Sequence, residues 1–137
     1  LQYFTEGFFM GFSNHTDAYI SGSEQVQWNR EIDAQTGVVR IVLGQKFDSK
    51  NVESFRTILN TEAAENNFRI ILNLEHLPFI YSAQIGALWT FCQKARQNGG
   101  DLKLSALNSD VFRALETMGL TRLLSIHDTD EEALAAF

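Results

Sequence analysis

The chain has 137 residues, enough for one compact domain with a real core and too few to suggest two. Hydrophobic residues make up 45% and charged residues 20%, which is globular rather than disordered composition, and a formal net charge of −6 from 17 acids against 11 bases argues against nucleic acid as a partner. A single cysteine, Cys92, rules out an internal disulfide, and no apolar run approaches the roughly 20 residues that span a bilayer, so the expectation is a cytoplasmic protein with no membrane partner.

The opening stretch, residues 1–23, starts without methionine and is rich in phenylalanine. It is read as an N-terminal extension whose first nine residues are added, non-native sequence, although Phe4, Phe8 and Phe12 also fit a short amphipathic helix. Regular patterning begins at Glu24, giving a domain of residues 24–137. "EQVQWNREID" and "VVRIVLGQKF" flank the turn residues "AQTG" and predict a β-hairpin. Ser49 then reads as the cap of a helix with Val52, Phe55, Leu59 and Ala63 on its inner face. "FRIILNL" is a nearly continuous apolar strand, the pattern of a parallel strand covered on both faces.

After the junction "LPFIYSAQIGAL", Ile85, Leu88, Trp89, Cys92 and Ala95 line one face of a helix that "QNGG" closes. "DLKLSAL" predicts a strand, and "NSDVFRALETMGL" a helix with Val111, Leu115 and Met118 inward and Gly119 at a left-handed C-terminal position. "LLSI" predicts a short strand, and Thr129 with Glu132 has the spacing of a capping box for a last helix. The acids at that helix start, Asp128, Asp130, Glu131 and Glu132, read as a solvated face. The order ββαβαβαβα predicts an α/β single domain, a mixed sheet with an N-terminal hairpin followed by alternating strands and helices.

The chemistry of catalysis finds little support. His15, His76 and His127 lack the spacing of metal ligands, no phosphate-binding glycine loop occurs, and Ile80 and Gln84 stand where a nucleophile elbow would need glycine. No nucleophile is paired with a base, so no catalytic residue, no metal and no cofactor is assigned. Ser82 remains. On spacing alone it is an N-cap.

The landmarks "VVRIVLGQKFD", "RIILNLEHLPFI", "YSAQIGAL", "NGGDLKLSAL", "NSDVFRALETMGL" and "LLSIHDTDEEAL" come in an order that resembles the STAS domain of anti-sigma-factor antagonists and sulfate-transporter tails. In the antagonists the junction reads Asp-Ser-Ser/Thr-Gly-Leu/Ile-Gly, and its first serine is phosphorylated by an anti-sigma-factor kinase. Ser82 stands at that serine, and Ile85 and Gly86 match the apolar residue and glycine at the end of the junction, while Tyr81, Ala83 and Gln84 depart from the pattern. The resemblance implies a noncatalytic signalling module that binds an anti-sigma-factor-like serine kinase or another regulatory protein. It implies Ser82 as the phosphorylation candidate, with Tyr81, Ser82, Ala83, Gln84, Ala87 and Phe91 as the partner-binding residues; a homodimer is compatible with it. An outward Phe91 beside Tyr81 would form an apolar patch, and packing on a neighbouring helix is the other reading of that residue. The alternatives are a constitutive adaptor or transport-complex subunit without phosphorylation, and a small-ligand sensor lined by Tyr81 and Gln84.

Overall fold

The computed structural model describes residues 16–21, 24–44 and 52–137, with side chains from residue 28 onward. The expected Ser49 cap and the phenylalanine-rich opening lie outside the described residues. Strand β1 (Thr16–Ser21) pairs antiparallel with β2 (Glu24–Ile32), and β2 pairs antiparallel with β3 (Val39–Leu43). Then follow α1 (Val52–Ala64), β4 (Arg69–Asn73), α2 (Ser82–Gln97), β5 (Asp101–Ser105), α3 (Ser109–Thr117), β6 (Ser125–His127) and α4 (Asp130–Ala135). Among the described residues the sheet has six strands, its spatial order is the chain order, and β3 to β6 run parallel. The mixed α/β sheet expected from the sequence is therefore present. Strand β1 is an addition, because patterning alone starts the sheet at Glu24.

The hairpin turn behaves as its residues demand. Gly37 takes φ +74° and donates to the Asp33 carbonyl at 2.8 Å, and the Asp33 N–H donates to the Val38 carbonyl at 2.9 Å. Alternation along the strands sorts the side chains. Val39, Ile41 and Leu43 of β3, Ile70 and Leu72 of β4, and Leu102 and Leu104 of β5 face one way and pack with Phe55, Ile58, Leu59, Leu88, Phe91, Cys92, Val111 and Leu115 of α1 to α3. Val38 and Ile71 face the other way, under Ala133 and Leu134 of α4. Both faces of the parallel strands are covered, which is why "RIIL" carries no polar alternation.

Helices α1, α2 and α3 close in the same manner. After α3 the Leu120 N–H donates to the Leu115 carbonyl and the Gly119 N–H to the Glu116 carbonyl, each at 2.9 Å, with Gly119 at φ +73°. This is the left-handed ending expected from the sequence. Asn66 takes the same position after α1, at φ 62°. Two expectations fail nearby. Met118 is 52% exposed because it is the C-cap of α3 and has rotated off the inner face, and Leu123, expected in a strand, is a 47%-exposed turn residue before β6 begins at Ser125.

Cys92 lies fully buried in the main core. Burial pushes its thiol up from the ordinary range; Arg96 pulls the other way, and Asp101, 3.6 Å from the sulfur, adds to the rise. In the native protein, neutral-pH thiol reagents should label it only as fast as the domain opens, and stoichiometric labelling within the mixing time would contradict that placement. Two glycines also separate by mechanism. Gly119→Ala should cost about 1 kcal/mol through its left-handed backbone. Gly100→Ala should cost about 1–3 kcal/mol as overpacking, because a Cβ at Gly100 would lie 1.9 Å from the Phe68 carbonyl oxygen. Urea titration of both variants measures the difference.

Candidate functional site at the head of helix α2

The loop from β4 to α2 is held at several points. Leu74, Leu77 and Ile80 are buried as anchors, the Leu74 N–H donates to the Ser105 carbonyl at 3.0 Å, and the Asn73 side-chain oxygen accepts from the Glu75 N–H at 2.8 Å. From the start of α3, the Asn108 side-chain amide donates to the Leu77 and Pro78 carbonyls at 3.1 and 3.3 Å. Pinned this way, the loop turns Phe79 and Tyr81 outward, 44% and 36% exposed, with their rings edge to face at 5.0 Å.

The helix starts one residue earlier than the N-cap reading of Ser82 requires. Tyr81 is the N-cap, with extended backbone, and its carbonyl accepts the first helical bond from the Ile85 N–H at 2.9 Å. The capping side chain comes from inside: Gln84, fully buried, reaches back so that its Oε1 accepts the Tyr81 N–H at 2.9 Å. This is the returning half of a capping box. A phenol on Tyr81 is too long to satisfy the opposite half, so the amide of Gln84 does the capping.

Ser82 is consequently the first residue of the helix proper. It is exposed, and its hydroxyl holds no hydrogen bond among the described residues. The first-turn N–H groups have no helical carbonyl to bond, and no acid occupies that turn. An anion on the Ser82 oxygen would sit at the positive end of a 16-residue helix.

Of the residues assigned to partner binding, the structure brings Tyr81, Ser82 and Ala83 together on the surface, with Ala87 half-buried one turn further. Gln84 and Phe91 are elsewhere. Gln84 is a buried cap, and Phe91 is 4% exposed in the core with Leu59 and Phe55 of α1. The outward Phe91 patch is thus corrected: α2 packs on both the sheet and α1, so its apolar face is wider than one stripe. Phe79, not Phe91, is the aromatic ring exposed beside Tyr81, and its position is hidden in the sequence because "LPFI" reads as uniformly apolar.

No nucleophile–base pair forms at Ser82 among the described residues. The structure does join Ser125 Oγ to His127 Nε2 at 2.8 Å, a pairing that motif spacing does not reveal, with Lys103 Nζ 3.2 Å from the same oxygen. The groove beside α3 is lined by His127 but not by Ser125. Among the described residues no cluster of His, Cys, Asp and Glu is placed to hold a metal, and no helix is long and apolar enough to cross a membrane.

Residues 29–133 match the family model of the STAS domain. An anti-sigma F factor antagonist of Paenibacillus polymyxa is 25% identical over 105 residues, 76% of this chain and 90% of that one. Among solved structures, a candidate anti-sigma factor antagonist of Thermotoga maritima superposes with a TM-score of 0.72 at 24% identity, covering 78% of this chain and 91% of that one. The Bacillus cell fate determinant SpoIIAA in its phosphorylated form gives 0.58 at 20% identity, covering 89% and 98%.

The capping arrangement predicts a separation between neighbours. Ser82→Ala should change stability by less than about 0.5 kcal/mol, as at other exposed positions without partners. Gln84→Ala should cost about 2–4 kcal/mol, losing a buried amide and the helix cap together. Thermal melts of the two variants decide it, and equal losses would return the cap to Ser82.

Proposed function

Because this chain belongs to the STAS domain family, with an anti-sigma-factor-antagonist-like fold, we propose that it is a noncatalytic signalling module. In this reading it binds an anti-sigma-factor-like serine kinase, and phosphorylation of Ser82 releases it. The observation that supports this best is the exposure of a hydroxyl that the fold does not use, at the head of α2 beside two outward aromatic rings. A dianionic phosphate there suits the helix terminus, so modification leaves the fold standing and changes only the surface. A partner that covers Phe79 and Tyr81 gains apolar burial and would have to desolvate the added charge. SpoIIAA, which shares the fold, has been solved in a phosphorylated form, in keeping with this reading.

The same proposal takes residues 24–137 as the acting unit, with the stretch before it as an extension that supplies β1. It takes the reducing interior of the cell as the setting for a lone buried thiol. Tyr81, Ala83 and Gln84, which depart from the antagonist junction, favour a second reading in which the module is a constitutive adaptor.

The test uses an ATP-dependent serine kinase captured from the source organism with this chain as bait. Incubation with that kinase and ATP should add one phosphate, mapped by mass spectrometry to Ser82 and absent from Ser82→Ala. Ser82→Asp should keep the melting temperature and weaken the complex at least tenfold, while Ser82→Ala binds as the parent does. A tight complex indifferent to both substitutions and to ATP would establish the adaptor reading instead.

A further inference from the structure

Between α1 and α2 the seam opens to solvent as a groove of about 400 Å³. Its floor includes Leu59 and Phe91, both buried. Its walls carry Arg56 from α1 and Gly86, Thr90 and Lys94 from α2, and among the described residues no carboxylate lines it. In a chain of net charge −6 this is a local reversal of sign. Among the described residues neither Arg56 nor Lys94 takes part in a salt bridge. Lys94 lies in the last turn of α2, where the helix dipole favours a cation, but Arg56 lies toward the N-terminal end of α1, where it does not.

Gly86 adds an independent observation. It is an exposed helical glycine, a residue that weakens a helix relative to alanine, and a Cβ built on it would meet nothing within 4 Å. The fold therefore has no packing need for glycine at this position. What its missing side chain does is keep the wall of the groove low. Ser82, Gly86, Thr90 and Lys94 follow one another at intervals of four and form a single ridge of α2, so Ser82 heads the wall of the groove, about 6 Å along the axis from Gly86.

We propose that this groove receives an acidic amphipathic segment of the regulatory partner, with apolar side chains over Leu59 and Phe91 and carboxylates toward Arg56 and Lys94. A phosphate on Ser82 then weakens the complex by like-charge repulsion from the same ridge. Occupancy of the groove stands on its own geometry; only the coupling to Ser82 rests on the proposed phosphorylation of that residue. A small free anion fits less well, because two flexible exposed cations offer little without apolar burial. A nucleic acid is repelled by the rest of the surface.

The test titrates the full chain with two labelled 12-residue peptides. Both carry leucine and phenylalanine at i, i+3, i+4 and i+7; one has glutamate and the other lysine elsewhere. The glutamate peptide should bind at least tenfold more tightly and shift the amide resonances of residues 56–60 and 86–94. Arg56→Glu with Lys94→Glu should abolish that preference without lowering the melting temperature. Gly86→Leu should block binding while Gly86→Ala raises the melting temperature, and Ser82→Glu should weaken binding several-fold at low salt and less at high salt. No binding at millimolar peptide, equal binding of the two peptides, or shifts confined to other surfaces would overturn the proposal. A Ser82→Glu variant that binds unchanged overturns the coupling alone. Failure of the kinase assay leaves the peptide titration, and what it says of the groove, unaffected.

Discussion

Arg40 has no exposed surface, and its charge lies in the middle of β3 among residues that exclude water. A guanidinium in that position must be matched. Glu31 on the neighbouring β2 pairs with one side of it, and Asp130, the first residue of α4, stands 3.3 Å from the other. Asp130 is itself saturated: the Asn73 amide donates to its two oxygens at 2.9 and 3.0 Å, and the Ser105 hydroxyl donates as well. Strands β2 to β5 and the last helix therefore meet at one buried ionic centre. Such a centre need not be more stable than an apolar packing of the same shape. It does penalise every register in which one partner is missing, by about 3–5 kcal/mol for a buried charge left alone.

That centre also sets the position of the candidate site on the opposite side of the sheet. Asn73 donates its side-chain amide to Asp130 and its Oδ1 accepts from the Glu75 N–H, so the residue that completes the ionic centre begins the loop that carries Ser82. Ser105 has a similar double role, with its hydroxyl on Asp130 and its backbone carbonyl accepting from Leu74. With Asn108 fixing the far side of the loop, Phe79 and Tyr81 are presented by a backbone that has few alternatives. A partner then meets a surface whose ordering has already occurred during folding.

The periodic signals in the sequence carried over well. Alternation in the strands, the stripe of α2 and the glycine after α3 are local properties, and the structure repeats them. What escaped was contact between residues far apart in the chain. Asp130 read as one of several solvated acids at a helix start, yet it is 3% exposed because Arg40, 90 residues earlier, requires it. The readable sign was on the other partner: an arginine inside "VVRIVL" and an asparagine closing "RIILN" are polar groups in strands covered on both faces, and each implies a buried acceptor or donor. At the site, Ser82 resembled a cap because hydroxyls commonly cap, whereas the buried amide of Gln84 had already satisfied the Tyr81 N–H. Phe91 was misplaced because a helix seated on both a sheet and a second helix turns more than one stripe inward.

Since the spatial order of the strands is their order in the chain, a ribosome delivers each parallel strand beside a neighbour already in place. Arg40 and Glu31 emerge almost together, but Asp130 follows 90 residues after Arg40, which at ordinary rates of synthesis is about 5 to 18 seconds. For that interval the face that α4 will cover carries Val38 and Ile71 with no lid over them. Until α4 arrives, the nascent chain therefore carries one defined apolar strip on that face of the sheet.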